Sequence, residues 1–189
     1  TLSATDVEMS VDAFIGADFV VAQLEVPFEA IEQAFKIARK QNITTVLNPA
    51  PAIELPKSLL ELTDIIIPNE TEAELLTGIS INNESDMKET ATYFLDLGIS
   101  AVLITLGEQG TYCAYQEQYK MIPACNVKAI DTTAAGDTFI GAFLSELNKD
   151  LSNLESAIRL ANQASSLTVQ RKGAQASIPT RKEVEAEYN

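Results

Sequence analysis

The chain has 189 residues, 46% of them hydrophobic, which is long enough to bury a core, and we expect one domain over residues 1–189. Its formal net charge of −14 argues against a surface for nucleic acid or an anionic membrane. With no histidine, serine–histidine catalysis and histidine zinc sites are excluded, so carboxylates would have to carry any proton transfer. No segment approaches membrane-span length and no signal peptide is visible, so we expect a cytoplasmic protein.

Apolar segments alternate with amphipathic patterns along the chain, which is typical of parallel strands covered on both faces by helices. The predicted strands are Phe19–Leu24, Thr44–Leu47, Asp64–Ile67 and Ala101–Thr105, followed by a hairpin of Thr111–Tyr115 and Gln118–Ile122. The predicted helices are Phe28–Lys40, Glu70–Leu76, Glu84–Leu97, Ala135–Leu147 and Leu154–Val169, with a short one after Thr180. A strand-like segment, Asn126–Ile130, precedes the last pair of long helices. Cys113 and Cys125 lack metal-ligand spacing and are interpreted as buried apolar residues.

Polar residues and glycines follow the predicted parallel strands, where ligands bind in open α/β sheets. The residues in these positions are Glu25, Asn48, Asn69 with Glu72, and Thr105 with Gly107 and Gly110. Asn69 also fits a helix N-cap and the two glycines also fit turns, so structural roles stay open beside functional ones.

The segment Asp131–Phe143 places small residues and one carboxylate where a loop turns into a helix. Ala134, Ala135 and Gly136 allow backbone N–H groups to approach an anion, and the helix start directs its unpaired N–H groups at the same place. Asp137 is positioned to take a proton from a hydroxyl that attacks a bound phosphate. The alternative is that Asp137 only stabilises the helix N-terminus.

These motifs resemble the ribokinase branch of the PfkB carbohydrate-kinase family. Its closing signature is similar to Asp131–Phe143, and its Asn-x-x-Glu motif to Asn69-Glu70-Thr71-Glu72. Three further segments resemble this branch in particular: Gln23-Leu24-Glu25, Asn48-Pro49-Ala50-Pro51 and Thr105-Leu106-Gly107-Glu108-Gln109-Gly110. The resemblance covers essentially all 189 residues and corresponds to the carboxyl-terminal two-thirds of such an enzyme. It implies a Rossmann-like three-layer α/β/α sandwich with a mostly parallel sheet, a nucleotide-binding domain.

The resemblance implies ATP-dependent phosphorylation of D-ribose at its 5-hydroxymethyl group. Asp137 would be the general base, while backbone N–H groups of Ala134, Ala135 and Gly136 would stabilise the transferred phosphoryl group. Glu25 and Asp137 would hold the sugar. The implied ATP-binding residues are Asn69, Thr105, Leu106, Gly107, Glu108, Gln109, Gly110, Gly136, Asp137 and Asn162. For Asn162, a polar residue on a largely apolar helix, a purely structural role is the alternative.

Two metal ions follow from the same resemblance. Glu72 would act through water on the Mg²⁺ that accompanies ATP, in keeping with the preference of Mg²⁺ for retaining its waters. An activating monovalent cation, expected to be K⁺, would be held by the side chains of Asp131 and Ser177 and by backbone oxygens of Thr133, Thr168, Arg171 and Gly173.

The family's amino-terminal part, with a sugar-binding segment and lid strands, has no counterpart in these residues. We therefore expect an amino-terminally truncated domain that binds ATP but phosphorylates ribose poorly or not at all, from a parent that dimerises through the lid. Other family members such as fructokinase or adenosine kinase, and a non-catalytic nucleotide-binding domain, remain as alternatives. A nicotinamide-binding or P-loop protein is disfavoured because neither glycine-rich motif occurs.

Overall fold

The computed structural model describes residues 1–188, and the contacts within the chain divide them into two compact units. The first unit comprises Thr1–Thr105 and Tyr112–Lys120. The second comprises Leu106–Thr111 together with the chain from Met121 onward. Among the described residues, no helix is long and apolar enough to cross a membrane.

A six-stranded sheet lies in the first unit, except for the ends of its last two strands, which belong to the second. The strands are β1 (Phe19–Ala22), β2 (Thr44–Leu47), β3 (Ile65–Ile66), β4 (Ala101–Thr105), β5 (Thr111–Tyr115) and β6 (Gln118–Ile122). They are ordered β1-β2-β3-β4-β5-β6, and β1 to β4 run parallel. The predicted α/β fold with a mostly parallel sheet is confirmed.

The middle of the sheet is buried on both faces, which accounts for its continuous apolar sequence. Val46 and Leu47 of β2, Ile65 of β3 and Leu103 of β4 are all fully buried. Strand β1 lies at the edge, and its Val21 is exposed.

The first unit contains five helices in its described residues: α1 (Ala4–Met9), α2 (Phe28–Lys40), α3 (Lys57–Glu61), α4 (Glu70–Thr77) and α5 (Glu84–Asp96). Helix α2 buries Ile31, Phe35 and Ala38, the face that its sequence predicts. Helix α4 ends at Gly78, whose φ of 74° provides the left-handed C-cap that glycine favours.

The second unit is built on α6 (Ala135–Glu146) and α7 (Leu154–Thr168), which pack against each other, and on α8 (Arg181–Tyr188), which packs on α7. Ala164 and Leu167 of α7 form a buried cluster with Val184 of α8. Arg181 of α8 forms an ion pair with Glu146 of α6 at 2.8 Å. The motif Asp131–Phe143 thus lies partly on α6, which packs against α7 and is linked to α8 by an ion pair.

The structure corrects one predicted element and adds two. Residues 126–130 form no strand: the N–H groups of Ile130 and Asp131 both donate to the Val169 carbonyl after α7, at 2.7 and 3.1 Å. Helices α1 and α3 were not predicted, although Ser3 and Asp6 form a capping box at the start of α1. Of the cysteines, Cys113 is buried as predicted, whereas Cys125 is only partly buried.

Candidate active site

Polar side chains connect the carboxyl ends of β1, β2 and β3 in the first unit. The side-chain amide of Gln23 donates to Asn48 Oδ1 at 2.9 Å, and Asn48 Nδ2 donates to the carbonyl of Ile67 at 2.7 Å. Glu25, the predicted sugar ligand, follows β1 and is exposed. This edge of the sheet thus has the polar character expected where α/β sheets bind ligands.

Asn69 and Glu72 form a capping box at the start of α4. Asn69 Oδ1 accepts from the Glu72 N–H at 2.8 Å, while Glu72 Oε2 and Oε1 accept from Asn69 N and Nδ2, each at 2.9 Å. The N-cap role of Asn69 is therefore confirmed. Burial raises the pKa of the Glu72 carboxyl, and the hydrogen bond from the Asn69 backbone opposes that shift.

The capping box lies next to the end of β4. Asn69 pairs with Thr105 in a parallel bridge, and the Thr105 N–H donates to the Pro68 carbonyl at 2.9 Å. The structure thus brings together three predicted site residues, Asn69, Glu72 and Thr105. A carboxylate oxygen can accept more than one hydrogen bond, so the capping role leaves Glu72 able to bind a water, and its link to Mg²⁺ stays a prediction.

In the second unit, Leu106–Gly110 form a tight loop around the short 3₁₀ turn Gly107–Gln109. The Leu106 N–H donates to the Gly110 carbonyl at 2.8 Å. Leu106 is buried, so its side chain belongs to the core, while Gly107, Glu108 and Gln109 are exposed. Gly110 has φ of 112° and ψ of −137°, and a Cβ there would lie 2.2 Å from the Ile122 carbonyl oxygen. Only glycine fits at position 110.

Asn162 holds the backbone beside this loop. Its Nδ2 donates to the carbonyls of Ile122 and Pro123 at 3.0 and 3.2 Å, and its Oδ1 accepts from Thr111 Oγ1 at 2.9 Å. Since Asn162 is buried and both amide hydrogens are used, its structural role is evident. Its direct contact with a nucleotide stays a prediction, and its visible contribution is to fix the chain on which Gly110 packs.

The start of α6 carries the predicted anion-binding residues. The N-cap residue, Ala134, is left-handed with φ of 61°, which costs about 1 kcal/mol for a residue other than glycine. Ala134 has no polar side chain, so it cannot cap the first-turn N–H groups in the way serine or aspartate would. At Gly136, apart from its two chain neighbours and the backbone of its own helix, no described atom would lie within 4 Å of an added Cβ. The Ala135 N–H donates to the Thr132 carbonyl at 3.2 Å, so an anion would compete with that carbonyl for this predicted donor. The backbone is accessible at Gly136.

Asp137 occupies the first turn of α6 and is exposed. A carboxylate in this position interacts favourably with the helix dipole, so the structural role that the sequence leaves open fits as well as the catalytic one. Its exposed carboxylate is also next to the Gly136 backbone, where an anion would bind. The two roles are compatible, and only a measurement of turnover separates them.

Asp131 connects two of the loops predicted to bind a monovalent cation. Its Oδ1 accepts from the Thr133 N–H and its Oδ2 from the Gly173 N–H, both at 3.0 Å. The Gly173 bond, followed by the Thr133 bonds, lowers the pKa of the Asp131 carboxyl to about 2. The carboxylate therefore stays ionised at neutral pH, as a cation ligand must.

The remaining predicted cation ligands lie along the same segment. The Arg171 N–H donates to the Thr168 carbonyl at 3.0 Å, and the buried Ser177 donates its hydroxyl to the Ala174 carbonyl at 2.6 Å. In the described part of the chain, no group of three or more acidic or cysteine side chains could hold a metal. A site made mainly of backbone oxygens and one carboxylate needs no such group, and the cation site at the Asp131 loop stays a prediction.

Two residues that touch the α6 start were missing from the sequence analysis. Thr138 lies within the closing motif but was not singled out, and Ser165 lies on α7. Ser165 Oγ donates to the Ala135 carbonyl at 2.9 Å, across a separation of 30 residues. The spacing of residues along the sequence gives no signal for such a contact.

Comparisons of the sequence with a family model and with known proteins agree on one family. The model of the pfkB family carbohydrate kinases matches residues 6–181. A ribokinase of Staphylococcus aureus (strain COL) is 63% identical over 184 residues, covering 97% of this chain and 60% of the relative. A ribokinase of Haemophilus influenzae is 45% identical, covering 96% of this chain and 59% of the relative.

Solved structures agree in fold. The structure of Arabidopsis thaliana ribokinase complexed with ribose and ATP superposes with a TM-score of 0.88 at 31% identity, covering 95% of this chain and 58% of that one. The ribokinase of Thermotoga maritima gives a TM-score of 0.83 at 33% identity, covering 97% of this chain and 61% of that one. The chain spans about 60% of the length of the two bacterial ribokinases named above.

Proposed function

Because the chain belongs to the pfkB family of carbohydrate kinases, we propose that the full-length gene product transfers the γ-phosphoryl group of ATP to the 5-hydroxymethyl oxygen of D-ribose. Ribokinases from two bacteria are 63% and 45% identical to the chain, which supports ribose over other sugars. The related Arabidopsis structure contains both ribose and ATP. These relatives are longer than the chain, so the activity is proposed for the full-length product.

The observation that carries the proposal is the start of α6. An N-cap without a polar side chain, an open backbone at Gly136 and an exposed carboxylate at Asp137 lie within one helical turn. The positive end of the helix dipole favours a phosphoryl group at this turn, and Asp137 is the base beside it. For a protein with a net charge of −14, such a local dipole is a way to attract an anionic substrate.

In the proposed reaction, Asp137 accepts the proton of the 5-hydroxyl as its oxygen forms a bond to the γ-phosphorus. The bond between that phosphorus and the β–γ bridging oxygen breaks, and ADP leaves with the electron pair. The N–H groups of Ala134 and Gly136 donate to the charge on the transferred group, and that of Ala135 joins them when its 3.2 Å bond to the Thr132 carbonyl opens. Such donors are each worth about 10²–10³-fold in rate. Glu25 would hold the sugar, and the loop Leu106–Gly110 would line the nucleotide.

Two cations belong to the proposal. Mg²⁺ bound with ATP would neutralise phosphate charge, and Glu72 would contact one of its waters from the first turn of α4. K⁺ would bind at the Asp131 loop, where the ionised carboxylate links Thr133 to Gly173. Since Thr133 directly precedes Ala134, a cation there would order the turn that leads into the anion site.

A coupled assay of ADP release tests the function, with ribose, fructose and adenosine offered separately. Asp137→Asn keeps the size of the side chain but removes the proton acceptor, so we expect kcat with ribose to fall about 10²-fold or more, with little change in ATP affinity. Normal turnover in this variant would leave Asp137 with only its role at the helix start. Faster turnover of fructose or adenosine would indicate another kinase of the family, and ATP binding without turnover of any acceptor would indicate a non-catalytic domain.

The same family membership leads us to propose that the full-length product acts in the cytoplasm as a homodimer. Analytical ultracentrifugation of the full-length product measures its oligomeric state directly. A sedimentation coefficient of a monomer at micromolar concentration would contradict the dimer.

A further inference from the structure

Helix α7 contacts the first turn of α6 through two hydroxyl groups. Ser165 Oγ donates to the Ala135 carbonyl at 2.9 Å, and Thr168 Oγ1 and Thr138 Oγ1 are hydrogen-bonded at 3.0 Å. Thr138 and Thr168 are 4% and 0% exposed, so their contact is shielded from water. The Thr168 hydroxyl has one proton and also lies 3.2 Å from the Ala164 carbonyl of its own helix, so Thr138 Oγ1 can be either the acceptor or the donor in the contact between the two side chains.

The residues at the start of α6 lack side chains large enough to anchor its first turn. Ala134, Ala135 and Gly136 have at most a methyl group as side chain, and Ala134 adopts an unfavourable left-handed conformation. Strained backbone persists only where the surrounding structure fixes it. Thr138 is the first residue of the helix whose side chain is buried, and its N–H donates to the Ala134 carbonyl at 2.9 Å.

We propose that Thr138, Thr168 and Ser165 are positioning residues that fix the rotation and height of the first turn of α6, and with it the Gly136 N–H and the Asp137 carboxylate. The proposal rests on the phosphoryl-transfer function given above. The two hydroxyl contacts fall on both sides of Asp137 in sequence, one at Ala135 and one at Thr138. Together they prevent the turn from tilting about either end.

Kinetics of the full-length gene product test the proposal through Thr138→Val, which keeps the shape of the side chain but removes the hydroxyl. We expect kcat with ribose to fall about tenfold while KM for ATP stays within about twofold, because small misplacement of catalytic groups costs rate more than binding. Thr138→Ser keeps the hydroxyl and should restore most of kcat. The matched control is Ser166→Ala, since Ser166 is also buried on α7 but donates only to the Asn162 carbonyl of its own helix, at 2.8 Å.

A second measurement does not depend on activity. Thr168→Val and Ser165→Ala should each lower the hydrogen-exchange protection of the residue 138 amide, and Ser166→Ala should not. Unchanged kcat in Thr138→Val, or unchanged protection in both α7 variants, would overturn the positioning role. If the wild type shows no turnover with any acceptor, the proposed function fails, and the exchange experiment still decides whether α7 fixes the turn.

Discussion

Among the glycines, Gly110→Ala is the substitution for which the structure predicts the largest loss of stability. The added Cβ would lie 2.2 Å from the Ile122 oxygen, 2.6 Å from the Ala124 nitrogen and 2.7 Å from the Pro123 carbonyl carbon. All three atoms belong to the backbone, so no side-chain rotation relieves the overlap. The φ of 112° is itself unfavourable for alanine. Strain of about 1–3 kcal/mol in the backbone and about 1–3 kcal/mol from overpacking together give about 4 kcal/mol.

Relieving the clash by moving the opposing chain is costly, because Asn162 is hydrogen-bonded to that chain. Both hydrogens of the Asn162 amide donate to the carbonyls of Ile122 and Pro123. Displacing these carbonyls would break hydrogen bonds of a buried amide, each worth about 1 kcal/mol. The substitution therefore lowers stability either by straining the loop or by breaking the hydrogen bonds of Asn162.

Gly107→Ala is a matched control in the same loop. Gly107 also has a positive φ, of 54°, but apart from its two chain neighbours no described atom lies within 4 Å of its Cβ position. Alanine there should cost only about 1 kcal/mol. With a urea m-value of about 2 kcal/mol per molar, the unfolding midpoint should fall by about 2 M for Gly110→Ala and about 0.5 M for Gly107→Ala. Equal midpoints, followed by circular dichroism, would refute the steric argument.

Further predictions concern the two carboxylates and the isolated chain. Burial raises the pKa of Glu72 on folding, so the wild type should lose stability relative to Glu72→Gln as pH rises through that pKa. Glu72→Ala should lower the free energy of unfolding by about 1 kcal/mol, because the helix cap is lost. Thermal unfolding at pH 4 and pH 7 measures both effects. Because folding lowers the pKa of Asp131 from 3.8 to about 2, its contribution is present above pH 4 and disappears toward pH 2. An Asp131→Asn midpoint deficit that is the same at pH 2.5 and 6 would contradict this. The 189-residue chain alone should bind magnesium-ATP weakly in calorimetry without ribose-dependent turnover, since Glu25 and Asp137 are the only sugar ligands predicted in it. Turnover of about 1–100 per second would refute this.

The elements most readily predicted from sequence are those whose ends are marked by capping residues. Helix α4 is bounded by an Asn-x-x-Glu capping box and by Gly78, and both ends are visible in the sequence. The segment 126–130 shows the limit of this reasoning, because its sequence is strand-like but strand formation requires a neighbouring partner. Here the chain bonds to the end of α7 through Ile130 instead.

The contacts of some site residues can be predicted from local sequence, whereas those of others cannot. The pairing of Asn69 with Glu72 follows from their spacing of three residues at a helix start. The contacts of Asn162 do not, since its partners Ile122 and Thr111 are 40 and 51 residues away. Nothing local in the sequence distinguishes a buried amide that fixes a loop from one that binds a ligand, and only the hydrogen bonds reveal which carbonyls it holds.

The start of α6 reverses the arrangement that stability alone would favour. Alanine occupies position 134, where the left-handed backbone favours glycine, and glycine occupies position 136, where the described structure leaves room for a Cβ. Exchanging the two would relieve backbone strain at one position and reduce the entropy of the unfolded chain at the other. Departures from local stability of this kind are expected at functional sites, where the backbone itself must approach a ligand. By contrast, Gly110 is required by the packing of the chain, so the same residue type has a structural reason at position 110 and a proposed functional one at position 136.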